Sequence, residues 1–241
     1  MAKPYHPPKL SAYTAPMGEN PGYIMGATGP QGFGCRSFYV AQIPSFDARQ
    51  VIITNHYSHR VVNNSYLHLG VFLNGAFVGV LQFGYMLNPA RAGSVVEGTV
   101  QGQYMELNRM YLADEAPRNS ESRAISYSIK YIRRACPMVA WIQSFADERC
   151  KGLGVTYQAA NFLYLGHHKC TFYTLDSESY HEMLISAHKK GGQRGEYLRA
   201  NLHRAEKHIL RQFRYIFFIK RNWMPRLRFT VKLYPKPGQV T

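Results

Sequence analysis

Val139-Ala140-Trp141-Ile142-Gln143-Ser144-Phe145 leads, three residues on, into Arg149-Cys150-Lys151-Gly152-Leu153-Gly154, and then into Val155-Thr156-Tyr157-Gln158-Ala159-Ala160-Asn161-Phe162-Leu163-Tyr164-Leu165, closed by Gly166. The first run is continuous, apolar and β-prone, as a buried strand is. The last predicts a helix from about Val155 to Leu165. A strand, a glycine-rich turn and a helix N-terminus together make an anion cradle, because the unpaired N–H groups and the positive helix end converge on one spot. Arg149 and Lys151 add charge there, and Gly152 and Gly154 allow close backbone approach. The alternative is an ordinary strand-to-helix turn that uses glycine for backbone freedom. The string is neither a Gly-Lys-Ser/Thr phosphate loop nor a Gly-x-Gly-x-x-Gly dinucleotide fingerprint.

Outward from this core the chain alternates strands and helices. Arg36–Ile43 reads as a strand stopped by Pro44, and Ser45 opens a helix toward His56. Asn74-Gly75 between two apolar runs, 67–73 and 77–83, marks a tight hairpin. Met105–Leu112 is another strand. Asn119 or Ser120 caps a helix whose apolar stripe continues to Arg134. Cys170–Leu175, Tyr215–Ile219 and Leu227–Val231 read as further strands, and His167-His168 as a helix terminus. Residues 188–211 form a basic, mostly helical stretch. Residues 1–34, punctuated by Pro and Gly, read as an extended N-terminal arm, leaving 35–241 as one domain with a basic C-terminal part at about 188–236.

The 241 residues are 46% hydrophobic, enough for a sizeable core. Lys and Arg number 29 against 14 acidic residues, a formal charge of +15. Such an excess favours a polyanionic partner, nucleic acid before anionic membrane. Four cysteines without metal-ligand spacing read as reduced thiols. No apolar run has the length of a membrane span and no signal-peptide core opens the chain, so an intracellular protein is expected, with no membrane partner.

In its strand–turn–helix setting, Arg149-x-x-Gly152-x-Gly154 resembles the diphosphate-binding segment of GNAT-type N-acyltransferases. The order of elements resembles theirs too, which implies an α/β (α+β) fold with a central mixed twisted sheet flanked by helices. Longer strings are similar to the Mom family of phage DNA-modification proteins: Asn55-His56-Tyr57-Ser58-His59, Leu107–Arg123, Ser144-Phe145-Ala146-Asp147, Gly154–Phe162 and Tyr234-Pro235-Lys236. That resemblance covers about residues 45–237. It implies an enzyme of the host cell cytoplasm that converts adenine in double-stranded DNA to N6-carbamoylmethyladenine, shielding phage DNA from restriction endonucleases that read the major groove.

Adenine N6 is a poor nucleophile, so such a reaction needs an activated donor, a base and a stabilised oxyanion. The carbamoylmethyl group has the atoms of a glycyl unit, so the donor is either an acyl-CoA (acetyl-CoA-like) thioester or a glycyl aminoacyl-tRNA. Asp147 suits a base for N6, or a cap of the turn. Tyr157 suits a donor to the carbonyl or leaving group, or a core aromatic. Arg109 reads as an anion clamp or as an ion pair with Glu106 or Asp147. His56 and Tyr57 suit base binding or acid–base work, and Ser122 lies after a loop that reaches toward the site. No metal ligand set is evident. Lys189, Lys190, Arg194, Arg199, Arg204 and Arg228 are expected to track DNA phosphates, and the adenine to flip out of the duplex. An acetyl-CoA-dependent N-acetyltransferase of protein or small amines, and a non-catalytic DNA-binding protein, are the competing readings.

Overall fold

The computed structural model describes residues 18–150, 152–186, 192–236 and 238. One ten-stranded sheet runs through them in the order β1-β2-β3-β4-β5-β6-β7-β10-β8-β9. The strands are β1 Gly22–Gly26, β2 Gly29–Cys35, β3 Phe38–Gln42, β4 Ser65–Leu73, β5 Ala76–Gly84, β6 Tyr104–Leu112, β7 Trp141–Asp147, β8 Leu163–Leu175, β9 Glu178–His181 and β10 Glu206–Phe218. Five helices accompany them: α1 Ser45–Asn55, α2 Ser120–Ala135, α3 Val155–Ala159, α4 Met183–Ser186 and α5 Gly192–Ala200.

Alternation along the strands separates two faces. Tyr39, Ala41, Phe72 and Val80 pack with Ala48 and Ile52 of α1, while Phe38, Val40, Leu69 and Leu81 belong to the larger core with α2. In α2 the buried residues Ala124, Ile125, Ser128, Ile129 and Ile132 recur at three and four positions, the spacing of one helical face. Trp141, Tyr104 and Tyr215 are completely buried, with Tyr104 stacked on Trp141 at 5.1 Å.

β6 and β7 are the sheet's parallel pair, and they pair only over Tyr104–Trp141, Met105–Ile142 and Glu106–Gln143. Beyond that point β6 stays with β5 and β7 with β10, so the two strands separate. A carbonyl orphaned by the split is recovered, since the Ser144 hydroxyl donates to the Leu107 carbonyl at 3.1 Å. β10 arrives last in the chain yet lies between β7 and β8, antiparallel to both.

The tight hairpin is present, with Asn74 and Gly75 both at positive φ. The first helix and the helix after Asn119 are also where the sequence places them. Five readings need correction. Residues 22–35 are two strands of the sheet, so the N-terminal segment is no extended arm there; residues 1–17 lie outside the described residues. The helix after the glycine turn has five residues and stops as Asn161 turns left-handed, φ 61°. Leu163-Tyr164-Leu165 then enters β8, where Leu163 pairs with Ile216 and His167-His168 sit mid-strand. A short apolar run fits either period, and pairing with β10 decides it. The basic stretch is helical only over Gly192–Ala200 among the described residues, and from Glu206 it is strand. Leu227–Val231 is no strand: after a 3-10 turn at Arg221–Arg226 the chain makes single bridges, Leu227 to Val96 and Lys232 to Tyr164.

Gly154 has φ +75°, and a Cβ there would lie 2.3 Å from the Tyr215 ring. Gly152 has neither restriction. Gly154→Ala is therefore expected to cost about 2–5 kcal/mol from backbone strain and overpacking. That is a fall in Tm of roughly 5–15 °C at this size. Gly152→Ala should melt within a degree or two of the parent. Equal melting of the two variants in thermal denaturation would refute this account of the turn.

Candidate active site

The separation of β6 and β7 opens a cleft of about 1680 Å³. Its walls come from β6, β7, β8 and β10, from the residues after α1 and from the glycine turn before α3. That volume exceeds the roughly 300–1,000 Å³ of an ordinary small-molecule pocket, so it has room for two reactants.

Glu106 stands where the strands part. Gln143 Nε2 donates to its carboxylate at 2.6 Å and Asn108 Nδ2 at 3.1 Å. Burial outweighs these bonds and pushes its pKa up to about 7. Asn108 is itself fixed, donating to the Tyr85 carbonyl and accepting from the Ser65 hydroxyl. A carboxylate held in this way near neutrality is poised to take or give a proton at physiological pH. The sequence does carry a signal for it, an acidic residue within an apolar strand, but read alone Glu106 looks like a partner for Arg109.

Asp147 closes β7 and is buried. Arg149 grips it with its own N–H at 3.0 Å, Nε at 2.9 Å and Nη2 at 2.5 Å. The guanidinium also lies 4.0 Å from the Phe172 ring centroid and 5.6 Å from that of Tyr57. Arg149 is thus committed to a charge-assisted fork rather than free for a phosphate. The anion cradle is left with Gly152, Gly154 and a helix too short to carry a large dipole; Lys151 lies outside the described residues. The turn itself is tethered through the Leu153 carbonyl, which accepts from Tyr215 OH and from Gln158 Nε2.

Arg109 lines the cleft, but its donors go to the Arg60 carbonyl at 3.1 Å and the Asn108 carbonyl at 2.7 Å. It pairs with neither Glu106 nor Asp147. His56, buried at the end of α1, accepts from the Ser58 N–H through Nδ1, so the neutral ring carries its proton on Nε2. Burial and then Arg109 lower its pKa to about 4. The Tyr57 ring lies 4.3 Å from that of His56, tilted by 33°, and its hydroxyl reaches the Cys150 thiol. Tyr157 contacts Phe162 and Tyr215, and burial raises its phenol pKa.

These five residues, His56, Tyr57, Arg109, Asp147 and Tyr157, share the one cleft with Glu106. Ser122 does not. Its hydroxyl donates to the Asn119 carbonyl in the first turn of α2, beside a separate pocket of about 290 Å³.

Among the expected DNA contacts, Lys189 and Lys190 lie outside the described residues. Arg194 lines the cleft and pairs with Glu178, Arg204 pairs with Asp176 at 2.8 Å and Arg228 with Glu97 at 2.8 Å. Arg199 donates to the Leu184 carbonyl. Acidic residues are few, yet Arg194, Arg204 and Arg228 have each found one. No helix among the described residues is long and apolar enough to cross a membrane, and none of their His, Cys, Asp and Glu side chains gather as a metal site.

The cleft at the split parallel pair of this mixed sheet is thus lined by a fixed carboxylate and by positive charge. Residues 37–236 match the Mom protein family, and the chain belongs to it. It is 55% identical over 208 residues to the methylcarbamoylase Mom of Escherichia phage Mu, covering 85% of this chain and 86% of the phage Mu protein. Among solved structures it is similar to a GNAT-family acetyltransferase from Streptococcus pneumoniae (TM-score 0.43, 12% identity, 75% of this chain and 99% of that one). It is also similar to Arabidopsis thaliana NAA60 in complex with acetyl-CoA (TM-score 0.47, 8% identity, 75% and 99%).

The raised pKa of Glu106 has a sign that can be measured. Between its ordinary 4.5 and about 7 the folded protein holds this proton more tightly than the unfolded chain. The contribution to stability is complete below about pH 4.5 and is lost as pH rises through about 7. Glu106→Gln should remove that slope, so that in urea titrations the variant gains stability relative to the parent from pH 5 to pH 8. A constant difference between the two proteins across that range would show that the carboxyl titrates normally.

Proposed function

We propose that this chain carbamoylmethylates adenine N6 in double-stranded DNA, giving N6-carbamoylmethyladenine, and acts in the host cell cytoplasm to protect phage DNA from restriction. The observation that carries the reading is Glu106, a carboxyl near neutrality at the floor of a cleft large enough for a nucleotide and a donor, in a chain of the Mom family. The formal charge of +15 suits a polyanionic substrate. N6 is paired inside the duplex, so the adenine must turn out into the cleft, where the aromatic rings of Tyr57 and Phe145 line the walls.

The donor is a glycyl unit activated as a CoA thioester or as an aminoacyl-tRNA. N6 attacks its carbonyl carbon, the N6 proton passes to Glu106, and the bond to the thiol or ribose oxygen breaks as that atom takes the proton. Asp147, held by Arg149, orients the amine, and neutral His56 and Tyr157 donate to the donor's polar atoms. The glycyl amine then attacks C6 through a five-membered ring. The bond from C6 to the original N6 breaks, and that nitrogen becomes the carboxamide. Atoms are conserved, and the product is the carbamoylmethyl isomer. Arg194 and the C-terminal basic residues hold the DNA at the rim.

DNA from bacteria expressing the chain, digested to nucleosides, should yield by mass spectrometry a deoxyadenosine heavier by one glycyl unit. Glu106→Gln and Asp147→Ala should reduce it by about 10²–10⁴-fold, the range of a lost general base. Unmodified DNA from soluble, well-expressed protein would reject the reading; an acetylated nucleoside-free protein or amine product would favour the N-acetyltransferase alternative. With purified DNA and a donor charged with ¹⁵N-glycine, the label should stay on the purine after the carboxamide is hydrolysed. Its release as ammonia would reject the rearrangement.

A further inference from the structure

The half-buried arginines around the cleft have mostly spent their donors. Arg60 and Arg194 pair with Glu178, Arg149 with Asp147, and Arg109 with two backbone carbonyls. Arg214 differs. It lies on β10 directly opposite Phe145 of β7, on the sheet face that lines the cleft. Its guanidinium lies between two rings, 5.2 Å from the Phe145 centroid and 4.9 Å from that of Phe229 in the C-terminal segment. Phe145 is buttressed edge-on by His168 at 5.7 Å. Among the described residues Arg214 donates no hydrogen bond and has no carboxylate within ion-pair distance, although it is close enough to Glu106 for their charges to interact. Both rings pack near its central carbon, and no acceptor among the described residues engages its N–H groups. A partly desolvated cation fixed in this way without an acceptor is a binding site for an oxygen that carries, or acquires, negative charge.

Resting on the reading above, we propose that Arg214 binds the carbonyl oxygen of the transferred acyl group and stabilises the oxyanion formed when adenine N6 adds to it. A flipped base would enter the cleft ahead of its phosphates, which favours this oxygen over a DNA phosphate. In the step, the N6 lone pair forms the N–C bond and the carbonyl π pair moves onto the oxygen facing Arg214. The N6 proton goes to Glu106. Collapse restores the C=O bond and expels the thiol or ribose oxygen, which takes the proton back. Glu106 and Arg214 thus divide the charge separation between a base and an anion holder.

The test is single-turnover modification of duplex DNA, with DNA affinity measured in parallel. Arg214→Met keeps the apolar contacts with both rings, and Arg214→Lys keeps the charge. Losing one oxyanion donor should lower the rate by roughly 10²–10³-fold in Arg214→Met. DNA affinity should stay within about twofold, since no phosphate contact is removed. Methylguanidinium should restore part of the rate in Arg214→Ala while leaving the parent unchanged, a result that a purely structural role would not give. A full rate in Arg214→Met would overturn the assignment while leaving the wider reading intact. So would a loss of DNA affinity that matches the loss of rate with a salt slope smaller by about one, the mark of a phosphate contact. A parent protein that binds DNA and never modifies it would instead reject the reading on which this assignment rests.

Discussion

Three register pairs join β6 to β7, and the position of the last one, Glu106 with Gln143, governs the site. Up to that point the two strands share a ladder and a dry core around Tyr104 and Trp141. After it each strand is held by its other neighbour, so the gap costs little: β5 and β10 satisfy the outer edges, and Ser144 satisfies the Leu107 carbonyl. The junction puts a half-buried carboxylate on the cleft wall, with no cation within ion-pair distance among the described residues. The network of Gln143, Asn108, Ser65 and the Tyr85 carbonyl holds that carboxylate in one place. An opening in the sheet thereby holds a carboxylate in fixed geometry on the wall of a cleft.

A second constraint comes from the turn after β7. The same few residues supply the Asp147–Arg149 fork, the Tyr57–Cys150 contact and the tethered Leu153 carbonyl. Gly154 is needed there because the Tyr215 ring occupies the space of a side chain and φ is positive. The glycine that suggests a phosphate cradle in the sequence is thus required by packing alone.

What could be read from the sequence follows how local each determinant is. Asn74-Gly75 specifies its hairpin because turn chemistry is contained in two residues. The stripe of α2 is visible because sixteen residues give the helical period time to show. Phe162–Leu165 misled because four apolar residues carry no period, and the strand they join is defined by β10, about fifty residues later. His56, Tyr57, Arg109, Asp147 and Tyr157 do converge on one cleft. Arg149 and the arginines expected to meet DNA are harder to read, since a basic residue in sequence does not reveal which carboxylate it will meet. Glu106 and Arg214 stand out only once burial is known, because their chemistry comes from what surrounds them.

The place of β10 also has a consequence in time. Residues 206–218 are made after every other strand, yet they fill the slot between β7 and β8. While the nascent chain is still short of them, the β7 edge that later takes β10 stays unpaired, and β8 has only β9 beside it. The cleft wall that carries Arg214 does not yet exist at that stage. Until then the sheet has open strand edges of the kind other chains can pair with, and the final strand both closes them and completes the wall of the cleft.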